Sequence, residues 1–172
     1  MTARRLRWRT CLVLGGLVVA SCGLQPVYSG GSHGVTALAL HDIAVGPVAD
    51  HAGYLLRGAL AARLGTPVDH PHYRLDVELD DQILGFGIRG DNSVTRERRT
   101  LRARYKLVNI ADGAVLLDAT ATSDAGIDRV SSDYAVVAAE NTALERLTVD
   151  LASQIVLRVA RYAHDAPGVA TH

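Results

Sequence analysis

The sequence predicts an α+β domain in which two helices pack on one face of a four-stranded, mostly antiparallel sheet, in the order β-α-β-β-β-α. The sheet is predicted because residues 73–80 and 95–109 alternate between apolar and charged side chains, with a glycine-rich segment between them. The helices are predicted because leucines and other apolar residues recur every three or four positions in residues 50–64 and 133–163.

The first strand and the first helix follow one another along the chain. A buried strand is predicted over residues 35–45, which are largely apolar, and Pro47 is expected to end it. Residues 50–64 predict an amphipathic core helix with a leucine at every fourth position of its second half. Asp50 is placed to cap the start of this helix, and Gly65 is placed to end it.

The second and third strands form a predicted hairpin. Residues 73–80 give one dry face and one wet face that is mostly acidic, whereas the wet face of residues 95–109 is cationic. The segment 85–92 between them is rich in glycine and ends in Asp-Asn, which favours a turn.

Charge and hydropathy both specify the register of this hairpin. If the strands pair antiparallel about Asp91, the numbers of facing residues sum to 182. A slip by one residue would turn charged side chains into the core, so the pattern favours a single register. Opposite charges then face one another across the ladder: Asp76 with Lys106, Glu78 with Arg104, and Asp80 with Arg102.

A fourth strand and a long helix complete the predicted domain. The strand is predicted over residues 114–123, after a turn at Ala-Asp-Gly, because alternate residues are apolar. The helix is predicted over residues 133–163, with Ser132 or Asp133 as its cap. Residues 164–172 are polar and are predicted to be a loose tail.

The segment before the domain has the pattern of a bacterial lipoprotein signal. Residues 1–21 join an arginine-rich start to an apolar run of about ten residues, which is too short to span a bilayer. The run ends in Val-Ala-Ser before Cys22, an order that resembles the lipobox of bacterial lipoproteins. That resemblance implies cleavage before Cys22 and a covalent lipid there, an S-diacylglycerol and an N-acyl chain such as palmitate. The alternative is an ordinary secretory signal that ends in cysteine.

Composition excludes several classes of function. The chain has 18 basic and 18 acidic residues, and removal of the signal takes four arginines, so the remainder is acidic and has no global attraction to nucleic acid. Of the two cysteines, Cys11 leaves with the signal and Cys22 carries the lipid. Residues 22–34 are predicted to be a flexible tether, and the domain at 35–163 holds no thiol for a disulfide, a metal site or a nucleophile.

No catalytic constellation is recognisable, so the sequence predicts a protein that is not an enzyme and needs neither a cofactor nor a metal. The letters Gly85-Phe-Gly-Ile-Arg-Gly90 fit a dinucleotide fingerprint, but no helix opens after them, so a hairpin is the better interpretation. His70 and His72 flank a proline in a loop, and one pair of histidines is too weak a signal for a metal site.

The cationic cluster between residues 89 and 106 is the candidate binding site. Its last three cations face the acidic strand and are predicted to be neutralised by it. The same register places Arg96 and Arg98 opposite Phe86 and Leu84, where no carboxylate is expected. Two interpretations stay open, a solvated sheet face and a contact for phosphate or carboxylate beside the apolar Phe86 and Ile88. The candidates for the anion contact are Arg89, Arg96, Arg98 and Arg99.

Four segments carry a resemblance to a known family. They are Cys22-Gly-Leu-Gln-Pro-Val-Tyr28 after the signal, Gly53-Tyr-Leu-Leu-Arg57 in the first helix, Tyr105-Lys-Leu-Val108 in the third strand and Ser131-Ser-Asp-Tyr-Ala135 before the last helix. With them the chain resembles the LptE family of lipopolysaccharide-assembly lipoproteins, most closely its alphaproteobacterial branch.

The resemblance implies partners and a location rather than a reaction. It implies that the protein sits as a plug in the lumen of the LptD β-barrel, binds lipopolysaccharide directly and catalyses nothing. Gly23, rather than aspartate, follows the lipidated cysteine, which by resemblance to lipoprotein sorting rules favours the periplasmic side of the outer membrane. No motif assigns the lipopolysaccharide contacts. Two alternatives stay open, an accessory lipoprotein of another envelope lipid-transport system and a lipid-anchored enzyme.

Overall fold

The structure is a computed structural model of the chain, and it describes residues 40–88 and 94–165. The four strands form one sheet in the order β1-β2-β3-β4, in which β1 and β2 are parallel and the other two pairs antiparallel. The predicted α+β class and element order are confirmed. The described elements are β1 (Ile43–Val45), α1 (Asp50–Leu64), β2 (Tyr73–Ile88), β3 (Val94–Asn109), β4 (Val115–Asp128) and α2 (Asp133–Asp165).

The register of the β2–β3 hairpin is the predicted one. Tyr73 faces Asn109 at one end and Phe86 faces Arg96 near the other, so the numbers of facing residues sum to 182 along the ladder. Because successive side chains of a strand point to opposite sides, the sheet has two distinct faces. Odd-numbered side chains of β2, β3 and β4 form the helix face, and even-numbered side chains form the open face, except that a register shift at the start of β4 places Val115 opposite Val108.

The hydrophobic core lies between the helix face and the two helices. Leu56 and Leu60 of α1 are fully buried, as are Leu151 and Ile155 of α2. The spacing of three or four residues turns one stripe of each helix toward the sheet, and α2 alone contributes 12 buried residues. Burial of one leucine side chain stabilises a fold by about 1.5–3 kcal/mol. Apolar packing therefore holds the two layers together.

The signals at the helix ends are only partly the predicted ones. Gly65 ends α1 with a φ of 86°, and its N–H donates to the carbonyl of Ala61 at 3.0 Å. Ser132 caps α2, since its Oγ accepts a hydrogen bond from the N–H of Ala135 at 3.4 Å. The prediction that Asp50 caps α1 is wrong. Ala49 occupies the cap position without a side-chain hydrogen bond.

The first strand is shorter than predicted. β1 begins at Ile43, because Leu40 and His41 are helical and the chain turns at Asp42. An oxygen of the Asp42 carboxylate accepts a hydrogen bond from the backbone N–H of His72 at 2.9 Å, which fixes this turn against the start of β2. The earlier part of the predicted strand, residues 35–39, lies outside the described residues.

The fourth strand and the last helix are longer than predicted. β4 continues to Asp128, past the predicted end at residue 123, because β3 supplies ladder partners as far as Arg96. α2 ends at Asp165, two residues beyond its predicted end. The rest of the predicted tail, the signal and the tether lie outside the described residues. Neither described helix has the length and apolarity that crossing a membrane requires.

Candidate functional site

The end of the sheet farthest from β1 carries the described candidate arginines. We call it the hairpin end. It consists of residues 83–87 of β2, residues 95–99 of β3, and residues 124–137, which run from the last part of β4 to the first turn of α2. The register brings these segments together, since Arg96 faces a residue of β2 on one side and a residue of β4 on the other. The N–H of Arg129 also donates to the carbonyl of Thr95 at 2.9 Å.

Arg96 and Arg98 project from the open face at this end, where both side chains are well exposed. The Nε of Arg96 lies 3.0 Å from the carboxylate of Asp128, and the Nε of Arg98 lies 3.8 Å from that of Asp124. Exposed ion pairs of this kind contribute at most about 1 kcal/mol each. A stronger anionic ligand can therefore displace the carboxylates.

These two ion pairs contradict part of the sequence argument. Arg96 and Arg98 do face Phe86 and Leu84 on β2, as the register required. The expectation that no carboxylate lies near them is wrong, because β4 extends along this end and brings two aspartates beside them. The arginines thus stand between an apolar strand and an acidic one.

Exposed large apolar side chains lie at the hairpin end, where Leu84 and Phe86 share the open face with Arg96 and Arg98 and Ile83 lies on the helix face. The guanidinium carbon of Arg98 lies 5.6 Å from the ring centre of Phe86, within the range of a cation–π contact. Exposed apolar groups gathered at one place indicate an interaction surface rather than scattered surface residues. Six of them lie at this end: Ile83, Leu84, Phe86, Val130, Tyr134 and Val137.

Arg99 lies on the other side of the sheet. It belongs to the helix face and is buried, with 9% of its surface exposed. Its guanidinium binds the Asp81 carboxylate through two nitrogens and donates to the carbonyl of Glu140 in α2 at 2.8 Å. The hydrogen bond to Asp81 raises the pKa of Arg99. These contacts join β2, β3 and α2 and leave little of the side chain for a ligand.

A second internal ion pair, which the sequence argument did not identify, lies beside Arg99. Glu97 is buried on the helix face, and its Oε1 accepts a hydrogen bond from Arg129 at 2.6 Å. Its Oε2 has no hydrogen-bond partner among the described residues. Residues 97 and 101 are both odd-numbered, so the alternation of β3 already places the Glu97 side chain on the same face as Leu101.

Farther from the hairpin end, the open face carries two ion pairs among the described residues. The guanidinium of Arg104 pairs with Asp118 of β4 at 2.9 Å, although Glu78 of β2 faces it directly. Their hydrogen bond lowers the pKa of Asp118 and raises that of Arg104. Arg74 pairs with Asp76 of the same strand at 2.7 Å. The prediction that the acids of β2 neutralise Arg102, Arg104 and Lys106 is therefore not confirmed, because among the described residues the ion pair that these cations form is with Asp118 of β4.

The structure divides the four candidate arginines into three groups. Arg96 and Arg98 share the open face at the hairpin end, and Arg99 is buried on the helix face. Arg89 and the predicted lipid-bearing Cys22 lie outside the described residues.

His72, in the loop before β2, has a carboxylate beside it. The Nδ1 of His72 lies 2.9 Å from the carboxylate of Asp42. Within residues 40–88 and 94–165, no group of three histidine, cysteine, aspartate or glutamate side chains is arranged to hold a metal ion.

The fold is shared with solved bacterial proteins. A Caulobacter crescentus CB15 protein, provisionally described as a lipoprotein, has a TM-score of 0.63 and 23% identity over 76% of this chain and 97% of its own. Rare lipoprotein B of Shewanella oneidensis has a TM-score of 0.53 and 10% identity over 72% of this chain and 96% of its own. Lipoprotein B of Nitrosomonas europaea, called uncharacterized, has a TM-score of 0.56 and 14% identity over 71% and 82%. At these identities the likeness shows a common α+β fold.

The sequence match is more specific than the fold. The chain belongs to the LptE family, described as lipopolysaccharide-assembly, which matches residues 40–159. That range runs from the turn before β1 to the last part of α2, so the match covers the folded domain. The family expected from the resemblance is confirmed. No curated protein sequence matches the chain significantly.

Proposed function

We propose that this LptE-family protein is an outer-membrane lipoprotein, anchored by lipid on Cys22, that sits in the lumen of the LptD β-barrel and supports it. We further propose that it contacts lipopolysaccharide during assembly at the cell surface, without catalysis. The observation that carries the proposal is the family match over residues 40–159. Each acyl methylene buried in a membrane contributes about 0.8 kcal/mol, so several chains would hold the domain there stably.

The chemistry of the hairpin end supports a contact with lipopolysaccharide. Lipopolysaccharide joins phosphate groups to acyl chains, and the hairpin end joins exposed guanidinium groups to exposed apolar side chains. Guanidinium groups bind phosphate through two parallel hydrogen bonds, which are stronger than the exposed carboxylate pairs they would replace. Arg96 and Arg98 would take the phosphates, while Leu84 and Phe86 would contact acyl chains.

The other two candidate arginines enter the proposal differently. Arg89 belongs to the connection between β2 and β3, so its place in the sequence keeps it a candidate for the same contact. Arg99 would have to leave Asp81 and the carbonyl of Glu140 before it could reach a ligand. We therefore assign Arg99 the role of holding the hairpin end in place for Arg96 and Arg98.

Purification of the full chain from membranes tests the barrel partnership. We expect a large β-barrel protein to copurify with it, and we expect depletion of the chain to leave lipopolysaccharide in the periplasm. If the chain purifies without a barrel protein under mild detergent, the LptD proposal is wrong. The accessory lipoprotein of another envelope lipid-transport system would then be the better hypothesis.

Paired substitutions test the lipopolysaccharide contact. Arg96→Ala with Arg98→Ala is expected to weaken lipopolysaccharide binding by about tenfold, or about 1.4 kcal/mol, at moderate salt. The control is Arg102→Ala with Arg104→Ala, which removes the same charge from the same face away from the hairpin end. An equal loss in both double variants would assign the binding to general charge and remove the hairpin end from the site.

A further inference from the structure

Among the described residues, no strand lies beside one edge of β2 over most of its length. β1 pairs only with residues 73–75, and the ladder ends where the N–H of Gly46 donates to the carbonyl of Leu75 at 2.9 Å. Beyond that point the described chain turns into α1, and β2 has β3 as its only described strand neighbour. We call residues 77–83 on this side the free edge.

The pairing of β1 shows which backbone groups the free edge presents. The N–H of Tyr73 donates to the carbonyl of Asp42 just before β1, and the carbonyl of Leu75 accepts from the N–H of Gly46 just after it, so odd-numbered residues of β2 point their backbone groups toward this edge. The alternation of a strand extends this direction to Val77, Leu79 and Asp81. An unpaired row of N–H and C=O groups is a template for another strand.

A cavity of about 660 Å³ lies beside the free edge. Its walls are of mixed character: Val77, Leu79 and Leu144 are apolar, whereas Asp81 and Arg99 are charged. Because Glu78 and Asp80 also line it, the cavity follows the edge of β2 as well as its helix-face side. Alternate side chains of an added strand would enter this cavity, and the side chains between them would lie along the open face.

The charge of the free edge selects the kind of strand that would fit. Two of the three open-face side chains along it are carboxylates, Glu78 and Asp80, and neither belongs to an ion pair among the described residues. The third is Gln82, whose amide donates to the carboxylate of Asp80 at 3.1 Å. A second copy of this edge would place acid opposite acid, which destabilises a pair of strands. A strand with lysine or arginine at two alternate positions would instead place its cations beside Glu78 and Asp80.

We propose that the free edge of β2 binds an extended, basic segment of a partner protein as an additional strand, with every other side chain of that segment in the adjacent cavity. The backbone hydrogen bonds would supply the affinity, and the alternation of cationic and apolar side chains would supply the selectivity. The proposal does not depend on lipopolysaccharide binding at the hairpin end, and its test uses no lipopolysaccharide.

The probe is a short synthetic peptide in which lysine alternates with valine, added to the full chain in detergent micelles. We expect slower hydrogen exchange and shifted amide resonances at Leu79 and Asp81, whose N–H groups point outward. A peptide with glutamate in place of lysine is expected to bind about tenfold more weakly. Equal binding of both peptides, or changes confined to other residues, would overturn the proposal.

Proline substitutions test the backbone pairing itself. Leu79→Pro removes an outward N–H, is compatible with an edge strand, and is expected to abolish binding of the lysine peptide. Thr122→Pro is the matched control on the edge of β4, because the carbonyl of Thr122 already points away from β3 to Gln154. If Leu79→Pro binds the peptide like the unsubstituted chain, or if Thr122→Pro loses as much binding, the proposal is wrong.

A charge reversal keeps the proposal testable even if Leu79→Pro fails to fold. Glu78→Lys with Asp80→Lys changes only exposed side chains. This double variant is expected to reverse the selectivity, so that the glutamate peptide binds more tightly than the lysine peptide. Unchanged preference for lysine would contradict the proposed strand, and so would dimerisation of the unsubstituted chain through this edge.

Discussion

The two faces of β3 have different physical tasks, although their residues alternate in one stretch of sequence. On the helix face, Leu101 is fully buried and Tyr105 is nearly so. On the open face, Arg98 and Arg104 are exposed, and water also reaches the carboxylates they pair with. Packed apolar contacts are lost only when the protein unfolds, whereas exposed ion pairs can exchange for a ligand. Core packing and exposed charge are therefore separated by the parity of the residue number.

The largest expected effect of this separation is on the free energy of unfolding. Leu101→Ala, on the helix face, is expected to lower the unfolding free energy by about 2–5 kcal/mol, because it leaves a cavity in the core. Leu84→Ala makes the same change on the open face, where 63% of the side chain is exposed, and is expected to cost less than about 0.5 kcal/mol. Chemical denaturation measures both values. Similar losses would show that the two faces are not distinct.

An intermediate effect on the free energy of unfolding is expected for a charged residue on the helix face. Arg99→Ala leaves the Asp81 carboxylate and the Glu140 carbonyl without their partner and is expected to cost about 1–3 kcal/mol. Arg98→Ala, one residue away on the open face, is expected to cost less than about 1 kcal/mol. Denaturation of the two variants compares them directly. A larger loss for Arg98→Ala would contradict the assignment of faces.

The smallest effect concerns a single titration on the open face. The hydrogen bond from Arg104, the largest cause, holds the pKa of Asp118 below its ordinary value of 3.8. When folding lowers the pKa of a carboxyl group, the ionised group stabilises the folded state at pH values above the ordinary pKa. This stabilisation is lost as the pH falls through the lowered pKa. Arg104→Gln is therefore expected to raise the Asp118 pKa toward 3.8.

Nuclear magnetic resonance of the Asp118 carboxyl carbon measures this change. Arg102→Gln serves as the control, because it removes an equal charge from β3 without touching the Arg104–Asp118 pair. The Asp118 titration is expected to stay as it is in this control. The same pKa shift in both variants would mean that general surface charge, not the hydrogen-bonded pair, lowers the pKa.

Most of the fold could be predicted because its determinants are local. Side-chain alternation and one turn were enough for the β2–β3 register, and leucine spacing was enough for both helices. The end of β4 could not be predicted in the same way. Residues 124–128 contain two aspartates and a glycine, which favour a turn, but pairing with β3 keeps them in a strand. Tertiary pairing outweighed local preference there.

The candidate site was predicted less well than the fold, for a related reason. The aspartates beside Arg96 and Arg98 lie in the part of β4 that the sequence argument left out. The position of Arg99 on the helix face, however, could be predicted from the sequence, because residues 99 and 101 are both odd-numbered and Leu101 belongs to the core. The cluster of arginines was treated as one surface, although the alternation already divided it between two.

The position of α2 after all the strands has a consequence for how the protein folds. β2, β3 and β4 are neighbours in both sequence and sheet, so they can pair with one another before α2 is in place. α1 contacts β1 and β2, whereas the apolar side of β3, with Leu101 and Leu107, is covered by α2 with its 12 buried residues. A chain in which α2 has not yet packed would thus present a partly bare apolar sheet, the kind of species that aggregates or binds chaperones. The sheet can form early and is fully covered late, and the chain is most vulnerable between these two events.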